Sequence, residues 1–161
     1  MNVYLIDDDP DFRASLKQSL ELAGIDVVDF ASPLAALEQL TDEYSGVVVS
    51  DIRMGKMDGL EFLMEVSEID EDIPVVLISG HADVSTAVQA IQDGAYDLLE
   101  KPFRTRRLVR VIHRAREKRK LVLENRRLRD QLSRRKNSLI LGDSPVIRAL
   151  RENIERLAPS Q

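Results

Sequence analysis

Cysteine is absent from the 161 residues, and histidine occurs only twice, at His81 and His113. The first absence excludes disulfides and thiolate zinc sites, and the second a histidine-rich metal centre. No apolar run approaches the length of a membrane span, and no basic leader precedes the first apolar segment. A soluble, cytoplasmic protein with no membrane partner is therefore expected. Nowhere does the chain contain a G-x-x-x-x-G-K-[ST] loop, so no P-loop nucleotide site is expected. The turn after the first apolar run is acidic where a phosphate cradle needs glycines, which argues against a flavin or nucleotide carrier.

What is present is divided by charge. The net charge of −5 conceals 15 Lys/Arg against three acids (Glu117, Glu124, Asp130) between Arg104 and Lys136. The remaining residues hold 8 basic and 25 acidic side chains. An acidic head is followed by a basic segment. That segment has no interleaved aromatics and no helix-turn-helix pattern, so its charges suit the solvated flanks of a helix, or an acidic neighbour, better than DNA.

The first hundred residues alternate β-rich runs with helical patterns. Strands are expected at Val3–Asp7, Asp26–Phe30, Val47–Asp51, Pro74–Ser79 and Tyr96–Leu99. Three of these are nearly continuous Val/Ile/Leu, as strands covered on both faces should be. Phe12, Leu16 and Leu20 recur every four residues before a stop at Gly24. Ser32-Pro33 suits the start of a second helix running to Leu40. Asp58 or Gly59 opens a third. Val84, Ala87, Val88 and Ile91 mark a fourth, ended by Gly94, and a fifth begins near Thr105. Repeated βα units imply right-handed crossovers and a parallel sheet with helices on both faces. The expected fold is α/β, a doubly wound five-stranded parallel sheet of order 2-1-3-4-5 (flavodoxin-like), with its switch point beside the first strand.

From Thr105 to about Arg135 there is neither glycine nor proline, so the fifth helix is expected to continue beyond the sheet. Leu108, Val111, Ile112 and Ala115 suit packing on the sheet. Further along, Leu121, Asn125, Leu128 and Leu132 recur at coiled-coil spacing, with Asn125 at a seam position that can fix register. A lone exposed helix of this length is marginal in water, which favours a dimeric coiled coil over a solvated single helix. Asn137-Ser138 is expected to break the helix, and Leu139-Ile140-Leu141 to be extended. Gly142-Asp143-Ser144-Pro145 then reads as a turn into a last amphipathic helix with Ile147, Leu150, Ile154 and Leu157.

The chemistry lies at the strand ends. Asp7-Asp8-Asp9, Asp51, Ser79 and Lys101 each follow an apolar run, and the order 2-1-3-4-5 sets the ends of strands one and three side by side. Asp7, Asp8 and Asp51 then share a pocket in which each carboxylate raises its neighbours' pKa. A hard divalent ion removes that cost, and few carboxylates plus water favour Mg²⁺. A backbone carbonyl near Arg53 would add an oxygen. Asp51 can then attack a phosphoryl group, with Lys101 as a second positive charge and Ser79 as a hydroxyl donor. A cis bond before Pro102 would aim Lys101 inward. The aspartate run before Pro10 equally suits a helix cap. Asp51, ending a Val-rich strand, has no packing use.

The segments Leu5-Ile6-Asp7-Asp8-Asp9-Pro10, Val49-Ser50-Asp51-Ile52-Arg53-Met54, Met57-Asp58-Gly59, Ile78-Ser79-Gly80-His81 and Glu100-Lys101-Pro102-Phe103 together resemble two-component response-regulator receiver domains. The resemblance implies that Asp51 is phosphorylated by a sensor histidine kinase and that Asp7 and Asp8 hold Mg²⁺. It likewise makes Ser79 the switch hydroxyl and Lys101 the phosphate-contacting lysine. Ser50-Asp51-Ile52-Arg53-Met54, the run Ala87 to Asp97 and Glu124-Asn125-Arg126-Arg127-Leu128 are similar to NtrC-type activators of sigma-54 polymerase, in particular the C4-dicarboxylate-transport regulators. The implied organisation is a receiver over 1–118, a coiled-coil linker helix over 119–137, and the truncated start of a central AAA+ ATPase over 138–161. Homodimerisation is implied too, with sigma-54 polymerase and DNA reached only through domains missing from this chain.

Two positions depart from the family pattern. Gly55-Lys56 replaces the usual Pro-Gly, and Leu98 holds the switch position usually given to Tyr or Phe, leaving Tyr96 or Phe103 as possible substitutes. Two other functions compete: a stand-alone phosphorelay receiver and a Mg²⁺-dependent aspartyl-phosphate phosphatase. The phosphatases carry a second acid two residues after the nucleophile, where this chain has Arg53.

Overall fold

The computed structural model describes residues 2–81 and 83–140, with side chains to 137. Five strands, β1 (Val3–Ile6), β2 (Val27–Phe30), β3 (Val48–Asp51), β4 (Val75–Ser79) and β5 (Asp97–Glu100), alternate with α1 (Pro10–Leu22), α2 (Pro33–Gln39), α3 (Gly59–Ile69), α4 (Val84–Gln92) and α5 (Thr105–Ile140). The strands are all parallel in the order β2-β1-β3-β4-β5, as expected. Strand bounds differ from the sequence reading by a residue at most at either end.

Period-two alternation sorts the strand side chains into two cores. Val3, Leu5, Val49, Val76, Ile78 and Leu99 pack with Leu16 and Leu20 of α1 and with Leu108, Ile112 and Ala115 of α5. Ile6, Val48, Val75 and Leu77 face Ala36 of α2, Phe62, Leu63 and Val66 of α3, and Ala90 of α4. Nearly every β3 and β4 side chain is shielded on both faces, which is why these strands read as unbroken apolar runs.

Side-chain caps start the helices. Asp9, Ser32, Asp58 and Asp83 each accept backbone N–H groups of the first turn, satisfying donors that the helix leaves free. Gly24 and Gly94, with φ of 86° and 103°, follow the ends of α1 and α4, where a left-handed residue turns the chain without a Cβ penalty.

One expectation fails. α5 does not break at Asn137-Ser138 but continues to Ile140, so Leu139 and Ile140 are helical rather than extended. Asn and Ser cost only a few tenths of a kcal/mol in a helix, too little to stop one without glycine or proline. Leu141 and the turn and helix expected after it lie outside the described residues.

Contacts group the chain into a unit through Val122 and a second from Leu123 onward. The first is fastened by an unexpected residue, Arg119. Its side chain is fully buried and bonds Asp70 Oδ2 at 2.9 Å, the Tyr44 carbonyl at 2.8 Å and the Asp42 carbonyl at 2.9 Å. Sequence reasoning missed it, although Arg119 continues the apolar face of Leu108, Ile112 and Ala115 at helical spacing.

Candidate functional site at the carboxyl ends of the strands

The pairing of Ile6 with Ser50 and of Asp51 with Ile78 sets Asp7, Asp51 and Ser79 along one rim of the sheet. This is the switch point, where the chain leaves β1 on one side and returns in β3 on the other. The Lys101 N–H donates to the Ser79 carbonyl at 2.7 Å, bringing the residue after β5 to the same rim. The Lys101–Pro102 bond is cis.

The three consecutive aspartates divide their roles. Asp7 is buried and accepts the Asp9 N–H at 2.9 Å. Asp8 is exposed. Asp9 caps α1 through the N–H groups of Asp11 and Phe12. The capping reading of the run thus holds for Asp9, while Asp7 is the buried member of the three. Arg13 bonds the Asp7 carbonyl at 2.7 Å and Asp29 at 2.9 Å, and Lys17 joins Asp29 at 3.1 Å. These contacts tie the first turn of α1 to the ends of β1 and β2.

Asp51 is 8% exposed. Its Oδ2 pairs with Lys101 Nζ at 2.8 Å, and its Oδ1 accepts the Arg53 N–H at 3.2 Å. The same ammonium lies 3.9 Å from the centroid of the Phe12 ring. Behind Asp51, Gly59 packs so close that a Cβ there would come within 2.6 Å of the Asp51 carbonyl oxygen. Glycine is thus required at the start of α3 by the backbone it touches.

Burial pushes the Asp7 carboxyl up to about 6; the Asp9 N–H opposes this, the Asp51 charge adds to it, Lys101 opposes it and Asp8 adds to it. The pocket is short of positive charge even with Lys101 in place. Among the described residues no three Asp, Glu or His side chains form a ready metal cage. Two buried carboxylates with an exposed third nonetheless fit Mg²⁺, which takes one or two carboxylates and keeps several waters.

The remaining expected residues divide similarly. Ser79 is buried at the rim, and its Oγ accepts the His81 N–H at 3.2 Å rather than bonding Asp51. His81 and His113 are exposed. Leu98 packs in the α2–α3 core, whereas Tyr96 and Phe103 pack in the α1–α5 core, so neither aromatic shares the core that Leu98 occupies. Leu121, Leu128 and Leu132 are each more than half exposed.

Residues 3–113 match the family model described as the response regulator receiver domain. The chain belongs to that family. It is 48% identical over 158 residues to the C4-dicarboxylate transport transcriptional regulatory protein DctD of Rhizobium meliloti (strain 1021), covering 98% of this chain and 34% of that protein. A protein of the same description from Pseudomonas aeruginosa is 47% identical over 161 residues, covering 99% of this chain and 35% of that one. The chain thus spans about a third of the length of these relatives. Among solved structures, the beryllofluoride-activated NtrC4 receiver domain dimer superposes with a TM-score of 0.68 at 34% identity, covering 73% of this chain and 98% of that one. The receiver is of the NtrC/DctD kind. No helix among its described residues is long and apolar enough to cross a membrane.

Proposed function

We propose that this receiver is a phosphorylation-controlled switch in which Asp51 accepts a phosphoryl group from a sensor histidine kinase. The observation that carries the reading is the shielded Asp51 carboxylate, bonded by Lys101 at 2.8 Å beside the buried acid Asp7. Asp7, Asp8, Asp51 and the Arg53 carbonyl would hold Mg²⁺, which when bound neutralises charge on the phosphoryl oxygens. An Asp51 oxygen forms the bond to phosphorus as the bond from phosphorus to the donor's imidazole nitrogen breaks. The imidazole keeps that electron pair and takes a proton from solvent. The Lys101 ammonium offsets the added negative charge. Ser79 exchanges its His81 N–H for a phosphoryl oxygen, drawing the β4–α4 loop inward.

The response passes to α4, which is lightly held: Ala90 is its one buried residue, while Val84, Val88 and Ile91 are exposed. Moving it costs little buried area. Leu98, being aliphatic, offers no ring flip, so the Ser79 loop and α4 carry the switch. Two copies pair through Leu121, Asn125, Leu128 and Leu132 of α5, and the change in pairing governs a cytoplasmic sigma-54 activating ATPase that follows the receiver. Supporting this are the likeness to DctD and the exposed leucines at coiled-coil spacing. Residues 1–118 act as the receiver, 119–137 as the linker and 138–161 as the approach to the ATPase. The Arg53 side chain is exposed and cannot act as the general acid that a phosphatase needs.

The test is labelling by acetyl phosphate with Mg²⁺, read by mass spectrometry. Wild-type chain is expected to gain one phosphoryl group and Asp51→Asn none. A labelled Asp51→Asn chain overturns the assignment.

A further inference from the structure

Lys101 meets two partners of opposite kind. Ahead of its ammonium stands the Asp51 carboxylate at 2.8 Å, and against it lies the Phe12 ring, 3.9 Å to the centroid. A lysine carries a flexible four-carbon stem and a strongly hydrated charge, and this one is 28% exposed. Its stem alone does not hold the ammonium on the pocket side. A carboxylate in place of the ring would occupy an N–H donor and add negative charge to a pocket already rich in acids. An aliphatic side chain would exclude water without attracting the cation. An aromatic face attracts the cation without adding an acceptor atom that would compete with Asp51 for its N–H donors.

The ring is itself held. Phe12 lies in the first turn of α1, where its N–H bonds the Asp9 cap at 3.3 Å, and the next residue, Arg13, bonds the Asp7 carbonyl. Its side chain packs against the α1–α5 core. Beside it, Ser15, Leu16, Ser19, Pro102 and Phe103 line a cleft of about 270 Å³ that also reaches Phe12 and Lys101. Phe103 packs on the same core. With that cleft at its side, an ammonium released by the ring has room to turn away from Asp51.

We infer that Phe12 is a positioning residue for phosphoryl acceptance, holding the Lys101 ammonium at Asp51 through the face of its ring. This rests on Asp51 being the phosphoacceptor. It adds that the acidic run at the end of β1 organises both halves of the site, Asp7 as a pocket acid and Asp9 as the cap of the turn carrying the ring.

The test uses the full chain with acetyl phosphate and Mg²⁺. Phe12→Leu, which keeps apolar bulk and removes the ring, is expected to slow labelling by about two- to fivefold, the size of a partly exposed cation–π contact. Phe12→Tyr is expected to recover most of that loss. In a Lys101→Met background, Phe12→Leu should add no further slowing. In parallel, the Lys101 Hε resonances should be shifted upfield by the ring current in wild type and in Asp51→Asn, and not in Phe12→Leu. An equal loss with and without the lysine, no loss at all, or unshifted Lys101 resonances overturns the inference while leaving Asp51 as acceptor. Failure of the wild-type chain to label removes the acceptor reading itself, and this inference with it, whatever the resonances show.

Discussion

Asp7 is a buried carboxyl held above its ordinary pKa, and the sign of its effect on stability follows. With its folded pKa at about 6 against an ordinary 3.8, the folded state keeps the proton that the unfolded state releases. This group's contribution to stability therefore falls as pH rises from about 4 to 6 and stays low above that. Asp29 lies outside this window. Desolvation pushes its carboxyl up, but hydrogen bonds from Lys17 and Arg13 outweigh that and hold it below the ordinary value. If Asp7 holds Mg²⁺ as proposed, the ion competes with its proton, and its stabilising effect should be larger at pH 7.5 than at pH 5. At a hundredfold excess over its dissociation constant the gain is about 2.7 kcal/mol, and thermal melts with Mg²⁺ or EDTA at each pH measure it. Equal shifts at both pH values would detach Asp7 from the metal.

At the scale of elements, α5 is joined to the head by a contact that no short sequence window contains. Arg119 reaches Asp70, Tyr44 and Asp42 across 49, 75 and 77 residues of sequence. Removing the guanidinium takes a buried charge partner from Asp70, whose Oδ1 keeps the Asp72 N–H at 3.0 Å, and a donor from each of two carbonyls, a loss of about 3–5 kcal/mol. Arg119→Met should lower stability by that order in urea unfolding; a loss under about 1 kcal/mol would mean the carbonyls and Asp70 find other partners. The contrast with Asp51 explains what the sequence made legible. A carboxylate ending a run of Val residues is conspicuous because the strand is buried on both faces, and strand order then identifies its neighbours. Arg119 sat on an apolar helical face, a visible anomaly, but its partners depend on loops whose paths follow from the completed fold. The same holds for Phe12, legible as a core position of α1 but not as a neighbour of Lys101. The continuation of α5 to Ile140 has a local cause, since the propensities of Asn and Ser are too mild to end a helix without glycine or proline.

Across the whole molecule, charge and apolar seam pull in opposite directions. The proposed seam carries Leu121, Leu128 and Leu132, each more than half exposed in the single chain. Its flanks carry Arg126, Arg127, Arg129, Arg134, Arg135 and Lys136 against Glu124 and Asp130, and Arg127 pairs with Glu124 at 3.9 Å. Two such helices brought together repel each other, so pairing through the leucines should tighten as salt rises, the reverse of an interface held by ion pairs. Burying each leucine contributes about 1.5–3 kcal/mol. Placing lysine at both Leu128 and Leu132 should then weaken the dimer at least about a hundredfold, while leaving labelling of Asp51 by acetyl phosphate in place. Sedimentation of wild type and the double variant, at low and high salt, with and without beryllofluoride, measures both effects. A wild-type chain that stays monomeric throughout, or a dimer that loosens as salt rises, would show that the leucine seam is not what joins two receivers.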